Sequence, residues 1–175
     1  MRTLLTIAAS LVGLFFAESA RASRMPVVEG PQGFIGQVVD RLNAGDSAGW
    51  GVPNTTAWYD ATWLQLMSDN NSLSRQFNVE SLVDLVPICA CLRGGGRYRV
   101  LTTSMNADGT ALARLRLTAA GQTTDYGVVL RVTPTGWRIF DTVNGSLGMR
   151  AFLTQHVACL RSARSRSAAE LCEVG

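Results

Sequence analysis

RYRVLTTSMNADGTALARLRLT, residues 97–118, reads as two β-strands folded back on a tight turn. Tyr98 and Val100 alternate with Arg97 and Arg99. After the turn, Ala111, Ala113, Leu115 and Leu117 alternate with Leu112, Arg114 and Arg116. Alternate residues of a strand share a face, so both segments have one apolar face and one that is rich in arginine. Between them, Asn106-Ala107-Asp108-Gly109 supplies residues suited to a turn. The same alternation continues at 124–133 and 136–142, across Ala119-Ala120-Gly121-Gln122 and then Pro134-Thr135-Gly136. Links this short join antiparallel neighbours, so the sequence predicts strands at 97–105, 110–118, 124–133 and 136–142 in one meander.

Upstream of the meander the period is helical. Residues 31–44 place Phe34, Ile35, Val38, Val39 and Leu42 on one arc, with Gly45 as a stop. A loop carrying Trp50 separates this from a second predicted helix at 56–68, with Tyr59, Trp63, Leu66 and Met67 on its apolar face and Asp69-Asn70-Asn71 ending it. A shorter helix is expected at 79–85, with Asn78 as N-cap and Pro87 as its stop. A last helix is expected at 146–161, ahead of a tail rich in arginine, serine and alanine. Helices followed by a meander predict an α+β domain in which N-terminal helices, closed by a C-terminal one, cover a curved antiparallel sheet of about four strands.

The N-terminus predicts export. Arg2 precedes an apolar stretch at 4–17, and Ala20-Arg21-Ala22 is a small-x-small cleavage pattern. Residues 1–22 therefore read as a signal peptide cut between Ala22 and Ser23, leaving 23–175 as a single domain with a core at 34–162 and a tail at 163–175. The apolar stretch is shorter than the roughly 20 residues of a membrane span, so no stable membrane anchor is expected after cleavage. The formal charge of +3 falls to +2 for the mature chain, in which every basic residue is arginine. That balance gives no ground for a nucleic-acid partner. A secreted, periplasmic location is the expectation.

At this point the chain resembles a known family. LVDLVPICACLR, then YRVLTTSMNADGTALARLRL and GVVLRVTPTGWRIFDTVN with a closing helix, are similar to an uncharacterised family of small bacterial secreted or lipid-anchored proteins with a nuclear transport factor 2-like fold. The resemblance covers roughly residues 34–160 and implies a cone of helices over a strongly bent sheet, with no reaction attached. Val86 stands where the family pattern has an acid before Pro87, and Leu92-Arg93-Gly94 where another acid commonly follows the cysteines.

Candidate functional residues come from strand parity and helical phase. The inner face of the sheet reads Tyr98, Val100, Ala111, Ala113, Leu115, Leu117, Tyr126, Val128, Leu130, Val132, Trp137, Ile139 and Asp141. The outer face carries Arg97, Arg99, Arg114, Arg116, Arg131 and Arg138 among Leu101, Met105, Leu112, Val129 and Phe140. That face fits an envelope protein partner or a homodimer interface, and equally a solvated surface. Tyr59, Trp63, Tyr98, Tyr126 and Trp137 are the expected lining of a cone pocket for a small apolar ligand.

Asp60, Asp141 and His156 are inward-looking polar residues. In an enzyme, a lyase or isomerase, Asp60 or Asp141 would be the base, with His156 or a tyrosine as helper. The competing reading gives each a structural role, and a non-catalytic binding module is the favoured one. No cofactor is expected. Gly94-Gly95-Gly96 lacks the strand-to-helix setting of a phosphate loop and reads as an entry to the first strand.

Four cysteines in an exported chain predict disulfides. The first expectation pairs Cys89 and Cys91, one each, with Cys159 and Cys172; the second pairs Cys89 with Cys91 and Cys159 with Cys172. A zinc set of Cys89, Cys91, His156 and Cys159 is a third possibility that the oxidising compartment disfavours, so no metal is expected.

Overall fold

The computed structural model describes residues 30–45, 57–81, 96–145 and 147–174. Helices α1 (Gly30–Asn43) and α2 (Ala61–Phe77) precede strands β1 (Arg97–Met105), β2 (Ala111–Ala119), β3 (Gln122–Thr133), β4 (Gly136–Asn144) and β5 (Leu147–Gly148). Helix α3 (Met149–Ser162) follows, then α4 (Arg166–Glu170) and a 3-10 turn (Leu171–Val174). The strands form one antiparallel sheet in the order β1-β2-β3-β4-β5, so the α+β reading with a meander of four long strands holds. The signal peptide, the cleavage site between Ala22 and Ser23, and Cys89 and Cys91 lie outside the described residues.

The turns follow the local chemistry. Asp108 accepts from the Thr110 N–H and hydroxyl, which closes the β1–β2 turn. The β2–β3 link is two residues, Ala120 and Gly121, both at positive φ (50° and 78°), as a hairpin between right-twisted strands requires. Gly96 opens β1 because a Cβ there would lie 2.6 Å from the Thr118 carbonyl oxygen.

One face of the sheet is covered by the helices. Phe34, Ile35 and Val38 from α1, with Trp63 and Met67 from α2, pack on Tyr98, Ala113, Leu115, Tyr126, Val128, Leu130 and Ile139. A second cluster joins Leu160, Ala169 and Cys172 to Leu73, Phe77 and Val79. The tail from 163 is therefore folded against α2 and α3 and is not a loose extension.

Three helix expectations are corrected. Helix α2 runs through Asp69-Asn70-Asn71, because Asn70 is buried and donates to the Ser81 hydroxyl while Ser74 packs inside. Asn78 closes that helix in the left-handed conformation (φ 53°) and does not start a new one. Residues 79–81 are not helical, and the remainder of the expected third helix lies outside the described residues.

Two bulges interrupt the pairing. Leu101 is the extra residue between Val100 and Thr102, and Phe140 the extra residue opposite Val129 and Leu130. Each bulge reverses the parity beyond it. Ile139 and Thr142 are therefore both buried, and Asp141 leaves the inner face on which strict alternation had placed it. Met105 likewise pairs with Ala111 and moves off the outer face, where it was expected. Val132, also expected inside, is 59% exposed at the far end of β3.

Candidate functional site

A groove of about 600 Å³ runs between α1 and the edge strand β1. Gly36, Val39, Asp40 and Asn43 line it from the helix, at the spacing that puts residues on one helical face. The sheet contributes Arg97, Tyr98, Arg99 and Val100 from β1, with Arg116 and Thr118 from β2. The wall is fixed by an amide clasp. The Asn43 side chain donates to the Tyr98 carbonyl at 2.9 Å and accepts from the Tyr98 N–H at 2.8 Å, as a neighbouring strand would. The clasp satisfies backbone groups that an edge strand otherwise leaves open to pairing with another chain.

The electrostatics of the groove follow from register. Arg99 faces Arg116 across β1 and β2, and Arg116 faces Asp125 across β2 and β3. Like charges in register repel. The repulsion is relieved by a two-pronged bond from Arg116 to Asp125, with both contacts at 2.7 Å. Arg97 and Arg99 form no ion pair among the described residues. Elsewhere on the outer face, Arg131 is drawn to Asp60, and Arg138 bonds the Trp137 and Thr135 carbonyls. Of the six arginines, Arg97, Arg99 and Arg114 form no ion pair among the described residues; all three lie at the β1–β2 side, and Arg114 is close enough to Asp125 to feel its charge.

The expected catalytic residues fall into two separate places. Trp58 and Asp60 bond the backbone of Ile139, which sets the start of α2 against β4. Asp60 is there the N-cap of α2, accepting from the Thr62 N–H at 2.9 Å and from the Thr62 hydroxyl. Its other oxygen meets Arg131 at 2.7 Å, and Arg150 approaches to 3.6 Å. Burial pushes this carboxyl up. The Thr62 hydroxyl, Arg131 and the Thr62 N–H together outweigh that and hold it below the usual carboxylate range. A low-pKa, ion-paired carboxylate is a poor proton acceptor. The guanidiniums of Arg131 and Arg150 lie 4.4 and 3.9 Å from the centroid of Phe140, the bulge residue, so its ring completes the node.

Asp141 accepts from the N–H groups of Thr142 at 2.7 Å and Arg150 at 2.8 Å. It therefore caps α3 from the neighbouring strand, in place of Gly148, which has no side chain to do so. Burial raises its pKa above the ordinary value despite those bonds and the nearby Arg150. Both aspartates thus serve helix starts, and neither lines the α1–β1 groove.

The cap explains Gly148, since a Cβ there would stand 2.7 Å from Asp141 Oδ2. Because two backbone donors pin the carboxylate, Gly148→Ala is expected to cost about 1–3 kcal/mol, read as a fall in melting temperature. An unchanged melting temperature would mean the Asp141 cap is dispensable.

His156 is elsewhere. Its Nδ1 lies 3.1 Å from the Cys172 carbonyl oxygen, so in the neutral ring Nδ1 carries the proton. It lines a separate cavity of about 160 Å³ with Phe152, Gln155, Cys159, Leu171 and Cys172. Cys159 and Cys172 form a disulfide there. This overturns the expectation that each would pair with Cys89 or Cys91, and it removes Cys159 from any zinc set. The reason is the return of the tail along α3, which brings the two Cα atoms to 5.8 Å. Among the described residues no cluster of metal-ligating side chains occurs.

The expected cone lining is mostly core. Tyr59, Trp63 and Tyr126 are at most 2% exposed, and of the five residues proposed only Tyr98 reaches the groove. Burial raises Tyr59 and Tyr126 far above the usual phenol range, with mutual proximity of the phenols adding to it, and burial raises Tyr98 as well. None is poised for proton transfer near neutral pH. The groove residues of α1 escaped the sequence reading. Their spacing was visible, but nothing local indicates which strand a helix will lie beside.

No family model matches the chain, and no curated protein matches it. Among solved structures, the phospholipid-binding protein from Ralstonia solanacearum, determined with a bound phospholipid, is similar over 82% of this chain and 80% of that one. The identity is 13% and the TM-score 0.37, too distant a likeness to say what this chain binds.

Proposed function

We propose that this chain is an exported, non-catalytic binding domain on a nuclear transport factor 2-like scaffold, and that its ligand is a small anion with an apolar body held in the α1–β1 groove. The observation that carries this reading is the pair Arg97 and Arg99, unpaired among the described residues, at the rim of a cavity of about 600 Å³. Val39 and Val100 offer apolar contact beside them. Guanidinium forks suit carboxylate and phosphate groups. Binding sites generally combine such a few placed polar groups with an apolar lining.

The signal-peptide pattern supports export. The Cys159–Cys172 disulfide agrees with an oxidising compartment. An envelope protein or a second copy would meet the same Arg97, Arg99 and Arg114 side of the sheet, beside Leu101, which is 36% exposed. Ligand chemistry is favoured over that reading because the groove is concave.

Calorimetric titration with octanoate and octyl phosphate tests the proposal. Arg97→Ala combined with Arg99→Ala is expected to weaken binding about tenfold or more, as loss of two charge-assisted contacts implies. Gly36→Leu is expected to block the groove while the fold persists, since nothing lies within 4 Å of a Cβ at Gly36. Absence of binding to the native protein, or full binding by both variants, would refute the reading.

A further inference from the structure

The groove is not uniformly cationic. Asp40 stands on its helix side, exposed, and forms no ion pair among the described residues. Arg97 and Arg99 stand on its strand side. Arg116, the third guanidinium, is already matched by Asp125. The groove therefore carries separated charges of opposite sign on opposite walls, with Val39, Tyr98 and Val100 among its lining. A purely anionic ligand would satisfy the strand wall and leave the Asp40 carboxylate facing it.

We infer that the groove selects a zwitterion, whose anionic end lies at Arg97 and Arg99 and whose ammonium end lies at Asp40, with an apolar spacer between. This rests on the groove being the binding site. Electrostatic complementarity of this kind contributes more to discrimination than to raw affinity. Because Asp40 is exposed, its contribution is that of a solvated ion pair, about two- to fivefold in affinity at low salt, shrinking as salt is added.

The test is calorimetry at low ionic strength with matched pairs: hexanoate, octanoate and dodecanoate against aminohexanoate, aminooctanoate and aminododecanoate bearing the amine on the terminal carbon. One length is expected to bind about two- to fivefold tighter as the amino acid than as the plain acid. Asp40→Asn is expected to erase that preference, weakening the amino acid and strengthening the plain acid by removing a repulsive charge. If plain acids bind with dependence on Arg97 and Arg99 but no amino acid is preferred at any length, the zwitterion inference falls and the binding site stands. A preference that survives in Asp40→Asn overturns it equally. If neither series binds, the site itself is wrong.

Discussion

Asp60→Ala is expected to destabilise the domain by about 2–3 kcal/mol, a fall in melting temperature of about 7 °C for a domain of this size. About 1 kcal/mol of this is the lost N-cap, since Asp60 accepts from the Thr62 N–H at the start of α2. The remainder comes from stranding two cations. Asp60 is 4% exposed at its side chain, while Arg131 is 42% and Arg150 20% exposed, so the pairing with Arg131 is discounted for solvent and that with Arg150 less so. Asp60→Asn keeps an acceptor for the cap and should lose roughly half as much.

Asp69→Ala is the comparison. Its partner Arg161 is 61% exposed, and a loss below about 1 kcal/mol is expected. Equal losses at Asp60 and Asp69 would show that the buried node is not what ties α2 to the sheet.

The same node sets a pH dependence. The folded-state pKa of Asp60 lies below its ordinary value of 3.8, so its contribution is fully present above that value and is lost as pH falls through the folded pKa. Asp141 has the opposite sign. Its folded pKa is raised, so its contribution is greatest at low pH and declines as pH rises through the folded value. The stabilities of the native protein and of Asp60→Asn should therefore differ by a constant amount above about pH 4 and converge below it, as the native protein loses its advantage there.

Replacing Cys159 and Cys172 together by serine is expected to cost about 3 kcal/mol, from the chain entropy of a loop with a sequence separation of 13. The bond holds the tail against α3, where Ala169 and Cys172 pack on Leu160 and the Cys172 carbonyl meets His156. The double variant should melt about 9 °C lower. Its C-terminal segment should also be cleaved by protease well before the sheet. A shift under about 2 °C would mean that apolar packing alone holds the tail and that the disulfide is incidental to it.

What was legible in the sequence was local. The alternation at 97–118 fixed two strands, the β1 bounds matched the expected 97–105, and the arc of Phe34, Ile35, Val38, Val39 and Leu42 is the buried face of α1. Asp60, expected to look inward, is buried. Asp141 was misread because parity counts one residue at a time, and the bulge at Phe140 inserts an uncounted one. The pairing of Cys159 was open because four cysteines allow three connectivities. Only the path of the tail after Ala163 selects the one seen between Cys159 and Cys172.

The sequence by itself determined the four long strands, their order and their antiparallel meander, and the presence of α1, α2 and α3, because periodicity, turn residues and short links act over a few residues. Tertiary structure alone decided where those elements meet. It brought the Gly36, Val39, Asp40 and Asn43 face of α1 alongside the β1 edge, clasped by Asn43, and so created a groove between residues more than fifty positions apart. It also turned Asp60 and Asp141 from candidate bases into fixed structural groups: Asp141 caps α3 through the Arg150 N–H, and Asp60, whose cap to Thr62 is local, is held by Arg131 from a distant strand. RYRVLTTSMNADGTALARLRLT specified a hairpin; its arginines became a candidate site only once a helix lay beside them.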